Sequence, residues 1–496
     1  MEDPVALGTR RGRGVLAATV LGSGMAFLDS TVVNVALPSI GADLGAGVGG
    51  LQWVLTGYLV TLASLILLGG SLGDHLGRRR TFLAGVTGFA GASVLCALAP
   101  NVPLLVAARA LQGAAGALLA PGSLAIIEAS FRAEQRPAAI GAWSGLAGVS
   151  TAVGPLVGGW LVDAASWRWI FLLNLPLAAV VVAVAVRFVP ESRDPDPEPF
   201  DLAGAGLAAA GLAALTWSLI AAGERGASDP AVLTGFAAAA TLLAAFALRE
   251  RRSAHPMLPP AILTVRQFTA ANAVTFAVYA ALGATFFLLV IQLQQVLGYS
   301  ALEAGLASLP ITVLMLALSS PAGGLAQRIG PRLPMTVGPL VTAAGFLVMG
   351  RIGAGDGYVG GVLPAVVLVG LGLSATVAPL TATALGAVGD RHAGLASGIN
   401  NATARTAQLA AVATIPVVAG LTGQAYEDPA VFSRGFTTAM GITAGLAVLG
   451  AGAAAAGIRN PAPGPDDGRP ARRHEGFHCD FDGPALRRCP RAAPSR

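Results

Sequence analysis

Hydrophobic residues occur in long blocks that end at arginine, proline, glycine or acidic residues. Most blocks are close to the roughly 20 residues that an α-helix needs to cross the hydrocarbon core of a bilayer. The pattern therefore predicts fourteen membrane-spanning helices. They are expected at residues 15–37, 51–72, 81–99, 102–125, 139–161, 169–188, 202–222, 231–248, 268–297, 302–325, 333–351, 358–380, 394–420 and 435–457.

Composition supports a membrane protein over a soluble one. Of the 496 residues 54% are hydrophobic and 11% are charged, whereas soluble proteins carry roughly 25% charged residues. The net charge of +5 lies in short runs between the apolar blocks, so it indicates orientation in a membrane and no nucleic-acid partner. The first block has a basic flank like a signal peptide, but it lacks a convincing cleavage site and is interpreted as an uncleaved first span.

The arginines predict the topology. Loops on the side of the amino terminus contain 17 arginines and loops on the other side contain 4. Because basic residues in short loops stay cytoplasmic, both termini are predicted to be cytoplasmic. The membrane is expected to be the plasma membrane of a bacterium.

Several kinds of chemistry are missing from the sequence. All 31 basic residues are arginine, so the chain has no Walker A lysine and cannot by itself be an ATP-driven pump of that kind. We expect no enzyme activity and no cofactor. The three cysteines form no disulfide framework. The tail residues His474, His478, Cys479 and Cys489 are possible metal ligands by residue type, but they lie in a segment that is expected to be disordered, so no metal site is predicted.

An internal repeat divides the chain. The segment "GGSLGDHLGRRR" recurs in degraded form as "AGGLAQRIGPR" in the same predicted orientation, which is typical of a transporter built from two parallel halves. The alignment pairs Gly70 with Gly323, Asp74 with Gln327 and Gly77 with Gly330. The offset leaves room for two extra helices between the halves.

Five segments follow from this repeat. We predict a cytoplasmic amino terminus, an amino-terminal six-helix bundle, an inserted helix pair with linkers, a carboxy-terminal six-helix bundle and a cytoplasmic tail. The tail is rich in Pro, Gly and Arg, and we expect it to be disordered. The segments are residues 1–14, 15–190, 191–261, 262–457 and 458–496.

Three ionisable residues lie well inside predicted spans: Asp29, Arg109 and Arg405. If the first span ends near Pro38, Asp29 lies about 13 Å and Arg109 about 10 Å below the same surface at 1.5 Å per residue. They are predicted to meet. Two roles stay open for the pair: a site that loads and releases a proton, which we favour, and a fixed ion pair between two helices. Arg405 is interpreted as snorkelling to the cytoplasmic end of its helix.

A polar stripe is predicted on the fourth span. Arg109, Gln112 and Gly116 share one helix face by their spacing of three and four residues. Together with Asn34 of the first span, Gln112 and Gly116 are predicted to line a cavity. The cavity is expected to be mostly apolar and to bind amphipathic compounds.

Two motifs carry a family resemblance. The spacing G-x-x-x-D-x-x-G-R-R, formed by Gly70, Asp74, Gly77 and Arg78, closely resembles the loop signature of the major facilitator superfamily. That resemblance implies a conformational latch between the two halves. The fifth span contains Gly154, Pro155, Gly158 and Gly159, which allow close helix packing and a kink. Their arrangement also resembles the antiporter motif of drug-exporting members.

Further segments resemble the fourteen-span drug:proton antiporter branch. They are "LDSTVVNVALP", with Asp29 at the acidic position, "RALQGAAGALLAP", which begins at Arg109, and "WRWIFLLNLP". The resemblance implies an all-α major facilitator fold of two six-helix bundles plus the inserted pair. It also implies a proton-coupled exporter of lipophilic drugs or antibiotics. We expect the protein to be a monomer. The alternatives are an uptake carrier of the same fold, a membrane lipid enzyme and a sensor or structural subunit.

Overall fold

The computed structural model describes residues 5–132, 135–194, 201–253, 256, 260–388, 393–422 and 428–460. The described chain is almost entirely helical. The helices are α1 (Arg10–Leu44), α2 (Val48–Leu76), α3 (Arg78–Ala97), α4 (Val102–Gly116), α5 (Leu119–Ser130), α6 (Arg136–Ala164), α7 (Trp169–Leu172), α8 (Asn174–Phe188), α9 (Leu202–Arg225), α10 (Pro230–Arg252), α11 (Pro260–Leu263), α12 (Arg266–Ile291), α13 (Ala301–Ile329), α14 (Arg332–Met349), α15 (Leu363–Gly386), α16 (Ala393–Val418) and α17 (Pro429–Gly457). Single π-helical turns, Gln292–Val296 and Tyr358–Val362, follow α12 and precede α15.

Twelve helical segments in the described part of the chain are long and apolar enough to cross a membrane. The prediction of fourteen spans is therefore not supported by this measure. The two predicted spans without a counterpart among the twelve correspond to α6 and α16. In α6 only Val153–Ala164 stands out as a shorter apolar helix.

The predicted helix boundaries need two corrections. Helix α1 continues through Pro38 to Leu44, because a proline removes only one backbone hydrogen bond and need not end a helix. It ends at Gly45, whose positive φ of 63° suits glycine. The predicted fourth span is divided into α4 and α5, which are separated by two residues near Ala117.

The internal repeat has a structural counterpart at two short junctions. Gly77, between α2 and α3, has a φ of 104°, and Gly330, between α13 and α14, has a φ of 87°. Both glycines adopt a conformation that residues with a side chain rarely reach. In each half, a glycine with a positive φ therefore forms the turn between two helices, at the positions that the sequence alignment pairs.

The residues up to Arg459 form one compact unit. We call α1–α8 the amino-terminal half and α12–α17 the carboxy-terminal half. In the first, α1 packs against α6 and α8, and α2 packs against α4; in the second, α12 packs against α16 and α17, and α14 packs against α15. The inserted helices α9 and α10 pack against each other, and α9 also contacts α2 and α16, one helix from each half.

The alternating direction of the helices gives the bundle two ends, which we call the Gly45 end and the Gly77 end. Hydrogen bonds between the two halves cluster at the Gly45 end. Gln52 Nε2 of α2 donates to the Val412 carbonyl of α16 at 2.6 Å. Gln294 Nε2 donates to the Val35 carbonyl of α1 at 2.9 Å. The halves are thus tied together at one end of the molecule.

Candidate functional site

Asp29 of α1 and Arg109 of α4 form a buried ion pair. Arg109 Nη1 lies 2.6 Å from Asp29 Oδ2, and each side chain is only 1% exposed. The predicted meeting of these two residues is confirmed, although α1 is longer than the depth estimate assumed. A buried ion pair of this kind is tolerated only if the opposite charges are close together and the remaining hydrogen-bonding groups of both side chains are also satisfied.

Neighbouring polar groups complete the hydrogen bonding of the carboxylate. Asp29 Oδ1 accepts hydrogen bonds from Gln112 Nε2 at 2.9 Å and from Asn174 Nδ2 at 3.1 Å. Both amides also donate to Ser93 Oγ, at 2.9 and 3.2 Å. The carboxylate is therefore held by three donors from α4 and α8.

The guanidinium of Arg109 is enclosed as well. Its Nε donates to the Val54 carbonyl at 3.2 Å, and its Nη1 also donates to Gln112 Oε1. Its Cζ lies 4.4 Å from the ring centroid of Tyr58, a distance at which a cation is attracted to an aromatic face. Helices α1, α2, α3, α4 and α8 thus all contribute to one polar cluster inside the amino-terminal half.

Sequence reasoning missed Ser93, Asn174 and Tyr58 as members of this cluster. Asn174 carried a signal, since it is a lone amide in an apolar run and begins α8. Its Oδ1 atom is buried and has no hydrogen-bond partner among the described residues. Ser93 and Tyr58 carried none, because hydroxyl side chains are common in membrane helices and their partners are distant in sequence.

The predicted cavity-lining residues divide into two groups. Asn34 is half-buried, and its amide donates to the Ser30 carbonyl of its own helix at 2.9 Å. Gln112 is fully buried and Gly116 is also buried. In this conformation α4 packs against α2 and α3, and the role of these two residues in lining a cavity stays a prediction.

Arg405 does not snorkel toward the start of α16. Its Nη1 donates to Gln408 Oε1 at 3.2 Å, one turn further into the helix, and its Cζ lies 5.9 Å from the ring centroid of Phe27 on α1. The side chain is half-buried. The guanidinium therefore lies between the two halves. The sequence had instead predicted that it would reach solvent at the end of its helix.

The glycines of the predicted antiporter motif allow close contacts on two sides of α6. A Cβ atom on Gly154 would collide with Thr31, and one on Gly158 would lie 3.0 Å from Val32 Cγ1, both on α1. On Gly159 it would lie 2.6 Å from the Ala301 carbonyl of α13. These residues thus bring α6 against its own half and against the other half.

Pro155 lies inside α6, which stays one helix through it. The carbonyl of Pro155 contacts Gly305 of α13, where no side chain could fit. Two turns later, Asp163 accepts hydrogen bonds from two backbone N–H groups at the start of α13. Helices α6 and α13 therefore approach so closely that backbone atoms of the two halves are in contact.

The predicted latch residues form contacts within one half. Arg78 Nη2 lies 2.9 Å from Asp74 Oδ1, four residues earlier. The latch between the halves was predicted for the outward-facing state. The Arg78 backbone N–H donates to the Ser192 carbonyl, and the Arg79 guanidinium lies 3.8 Å from Glu191. In the described part of the chain, Asp74 and Arg78 form no hydrogen bond or ion pair with the carboxy-terminal half. The physical reason is that the halves meet at the opposite, Gly45 end.

Gly70 and Gly77 have different surroundings at this junction. A Cβ on Gly70 would lie 3.6 Å from Pro121, an ordinary contact, whereas one on Gly77 would lie 2.6 Å from Glu191 Oε1. No group of three or more potential metal ligands occurs within the described ranges. The tail residues His474, His478, Cys479 and Cys489, and most of the predicted disordered tail, lie outside the described residues.

Comparison with known proteins identifies the family of the chain. The Major Facilitator Superfamily profile matches residues 19–412. The chain is 34% identical over 417 residues to the tetracenomycin C resistance and export protein of Streptomyces glaucescens, covering 83% of this chain and 77% of that protein. It is 36% identical over 388 residues to the multidrug resistance protein Stp of Mycobacterium tuberculosis, covering 78% of this chain and 72% of that protein.

Solved structures agree on the fold. The peptide transporter PepTSo superposes with a TM-score of 0.64 at 15% identity, covering 89% of this chain and 97% of that one. A D-xylose–proton symporter superposes with a TM-score of 0.63 at 15% identity, covering 90% and 98%. At such identities the likeness concerns the fold alone. By sequence profile, by sequence identity and by fold, the chain belongs to the Major Facilitator Superfamily.

Proposed function

We propose that this protein exports lipophilic small molecules, drugs or antibiotics, across a bacterial plasma membrane in exchange for protons. Its relatives include resistance and export proteins for antibiotics and for multiple drugs, which supports export of this class of cargo. The proposal makes the protein a carrier, which moves its cargo chemically unchanged.

The buried Asp29–Arg109 pair is the observation that carries the proton-coupling part of the proposal. Asp29 is the carboxylate at the centre of the polar cluster, and its charge is balanced by Arg109. A proton on Asp29 would remove the negative charge and leave Arg109 without its partner, so the cluster would favour a different helix arrangement. The free Asn174 Oδ1 supports this reading, since an amide oxygen can accept the hydrogen bond that a protonated carboxyl donates.

Alternating access follows from the contacts between the halves. The excess of arginine in loops at the Gly77 end supports assigning that end to the cytoplasm, with both termini on that side. The described conformation would then be closed toward the outside through α6 and α13. Asp74 and Arg78 would engage the carboxy-terminal half only in the opposite conformation, in which the cytoplasmic ends meet.

We further propose that α6 and α16 cross the membrane, which would give fourteen spans. They contain 29 and 26 residues, or about 43 and 39 Å of helix at 1.5 Å per residue. Both pack along other membrane helices, α6 on α1 and α16 on α12. Their lower hydropathy fits helices with polar faces that point toward the interior of a transporter.

The energetics are sufficient for accumulation against a gradient. One elementary charge that moves through a potential of 100 mV releases about 2.3 kcal/mol, roughly a 50-fold bias. A pH gradient would add to this. A monomer with one proton site could therefore sustain a useful concentration ratio without nucleotide hydrolysis.

Transport by Asp29→Asn in inverted membrane vesicles tests the proposal. We expect wild-type vesicles to take up drug when an inward proton-motive force is present and to lose this uptake with a protonophore. The substituted amide keeps hydrogen-bonding capacity but cannot carry the charge, so proton-driven uptake should be lost. Asp43→Asn is the matched control, because Asp43 also pairs with an arginine, Arg168, but is 47% exposed. Full proton-driven uptake by Asp29→Asn would contradict the coupling role.

A further inference from the structure

Helix α16 has a polar face that the ion-pair cluster does not use. Ser397, Asn401, Arg405 and Gln408 are separated by four, four and three residues and therefore share one side of the helix. Asn401 is exposed and the other three are half-buried. An exposed amide and a guanidinium are unfavourable against lipid. This face therefore borders space between the halves that water or cargo can occupy.

A face of α1 lies opposite. Phe27, Ser30 and Asn34 are separated by three and four residues, and all three are half-buried. The 5.9 Å distance between Arg405 Cζ and the Phe27 ring centroid shows that the two faces are opposed. One face belongs to each half, which is where a carrier that alternates between two conformations must hold its cargo.

Arg405 is a cation with free hydrogen-bonding capacity. A guanidinium has five N–H donors, and Arg405 makes a single hydrogen bond, to an uncharged amide oxygen, within the described part of the chain. No carboxylate there lies within ion-pair distance of it. Arg405 lies about 18 Å along α16 from its first residue, at 1.5 Å per residue. This position is deep in the bundle, where an unpaired charge is costly.

Arg109 shows the contrast. Its charge is balanced by the Asp29 carboxylate, which already accepts hydrogen bonds from three side chains. In the carboxy-terminal half, Glu303 bonds the backbone of Ser300 in a capping box at the start of α13. The carboxylates of Asp29 and Glu303 are thus engaged elsewhere. Among the described residues, no carboxylate bonded to Arg405 is therefore present to attract a positively charged cargo.

We propose that Arg405 and Phe27 form a binding site for an aromatic organic anion, with the guanidinium on the carboxylate or ionised phenol and the Phe27 ring against the aromatic face. This inference rests on the proposed export function and names the class of cargo. An anion would complete the hydrogen bonding of Arg405 and balance its charge. The amides of Asn34, Asn401 and Gln408 would accept or donate to further polar groups of the cargo.

Two dyes that share a xanthene ring system test the inference. Fluorescein is an anion at neutral pH, whereas rhodamine 6G is a cation whose carboxyl group is esterified. We expect wild-type cells to export fluorescein and Arg405→Gln to reduce this export about tenfold or more, since a charge-assisted hydrogen bond contributes roughly 1.5–3 kcal/mol. Export of rhodamine 6G by the same variant should stay the same or rise. Arg405→Lys should retain part of the fluorescein export.

A structural role for Arg405 predicts a different pattern. If Arg405→Gln lowers export of both dyes equally at equal protein abundance, the inference is wrong. Arg168→Gln is the control, because Arg168 also lies over an aromatic ring, 4.3 Å from the centroid of Trp167, but at the Gly45 end. Binding of fluorescein to purified protein, followed by anisotropy, should weaken in Arg405→Gln and stay unchanged in Arg168→Gln.

The proposed function and the inference fail separately. Export of rhodamine 6G without fluorescein by the wild-type protein would contradict the inference and leave drug export in place. Export of neither dye, with no change in the susceptibility of the host to a panel of antibiotics, would contradict both.

Discussion

The carboxylate of Asp163 in the amino-terminal half caps the helix that begins at Ala301 in the other half. Asp163 Oδ1 accepts the Ala301 N–H at 3.2 Å, and its Oδ2 accepts the Leu302 N–H at 2.9 Å. A negative charge at a helix N-terminus is favoured by the unpaired N–H groups and by the helix dipole. The side chain of Asp163 therefore connects α6 to α13 by hydrogen bonds at the Gly45 end.

Replacing Asp163 with Asn should shift the protein away from the conformation described here. The variant loses a charge–dipole interaction of about 0.3–1 kcal/mol, a bias of roughly two- to fivefold. Electron-paramagnetic distances between labels at Ala165 and Leu306, with the native cysteines replaced by serine, should show more of the longer separation. Asp43→Asn changes a carboxylate at the same end whose partner lies in its own half, so its distances should match the wild type.

Gly159→Ala should impair transport strongly. The new Cβ would lie 2.6 Å from the Ala301 carbonyl, so α6 and α13 could not approach as closely. Gly141→Ala on the same helix is a matched control, since its Cβ would meet nothing within 4 Å. Drug efflux rates at equal protein abundance should fall about tenfold or more for the first variant and stay unchanged for the second. Equal rates in both would show that the close contact is not needed.

Removing one partner of the Asp29–Arg109 pair should destabilise the protein more than removing both. Arg109→Leu leaves Asp29 as a buried, unpaired charge, at a cost of about 3–5 kcal/mol. The double variant Asp29→Asn with Arg109→Leu leaves no such charge and should unfold at a higher temperature than Arg109→Leu. Thermal unfolding in detergent measures this difference.

Transport by the double variant separates the two roles of the pair. Proton-driven efflux should be absent even if stability is recovered. Recovery of efflux together with stability would instead identify the pair as a fixed contact between α1 and α4.

Gly77→Ala should destabilise the α2–α3 junction. Its φ of 104° is unfavourable for alanine, and the Cβ would crowd Glu191 Oε1, which we expect to cost roughly 1–3 kcal/mol. Gly73→Ala, one turn earlier in α2, meets its first neighbour at 3.7 Å and should be tolerated. Unfolding temperatures of the two variants, measured side by side, test this. A Gly77→Ala protein as stable as Gly73→Ala would contradict it.

The sequence predicted those features that depend on local pattern. Long apolar blocks indicated the helices, the two loop glycines indicated the repeat, and the rarity of membrane charges singled out Asp29 and Arg109. Features that depend on packing in three dimensions were missed. Pro38 was interpreted as a helix end although α1 continues to Leu44, and the hydrogen bonds of Ser93 and Asn174 in the Asp29 cluster were not predicted.

Two further interactions depend on conformation or on contacts distant in sequence. The resemblance assigned Asp74 and Arg78 to a contact between the halves in the outward-facing state, and in this conformation they pair with each other. Arg405 was interpreted from its distance to the helix start, whereas the aromatic ring that faces it belongs to α1, far away in sequence. A motif gives the residue types of a contact but leaves open which of several conformations makes it.

The position of α9 makes the two seams between the halves unequal. The seam between α2 and α16 is covered, because α9 contacts both helices and Gly223 lies against Val417. The seam between α6 and α13 has exposed apolar side chains at its edge, with Val153 at 37% and Leu306 at 46% exposure. The inserted helix therefore shields one flank of the interface between the halves from the surrounding lipid, whereas the other flank is left to contact it directly.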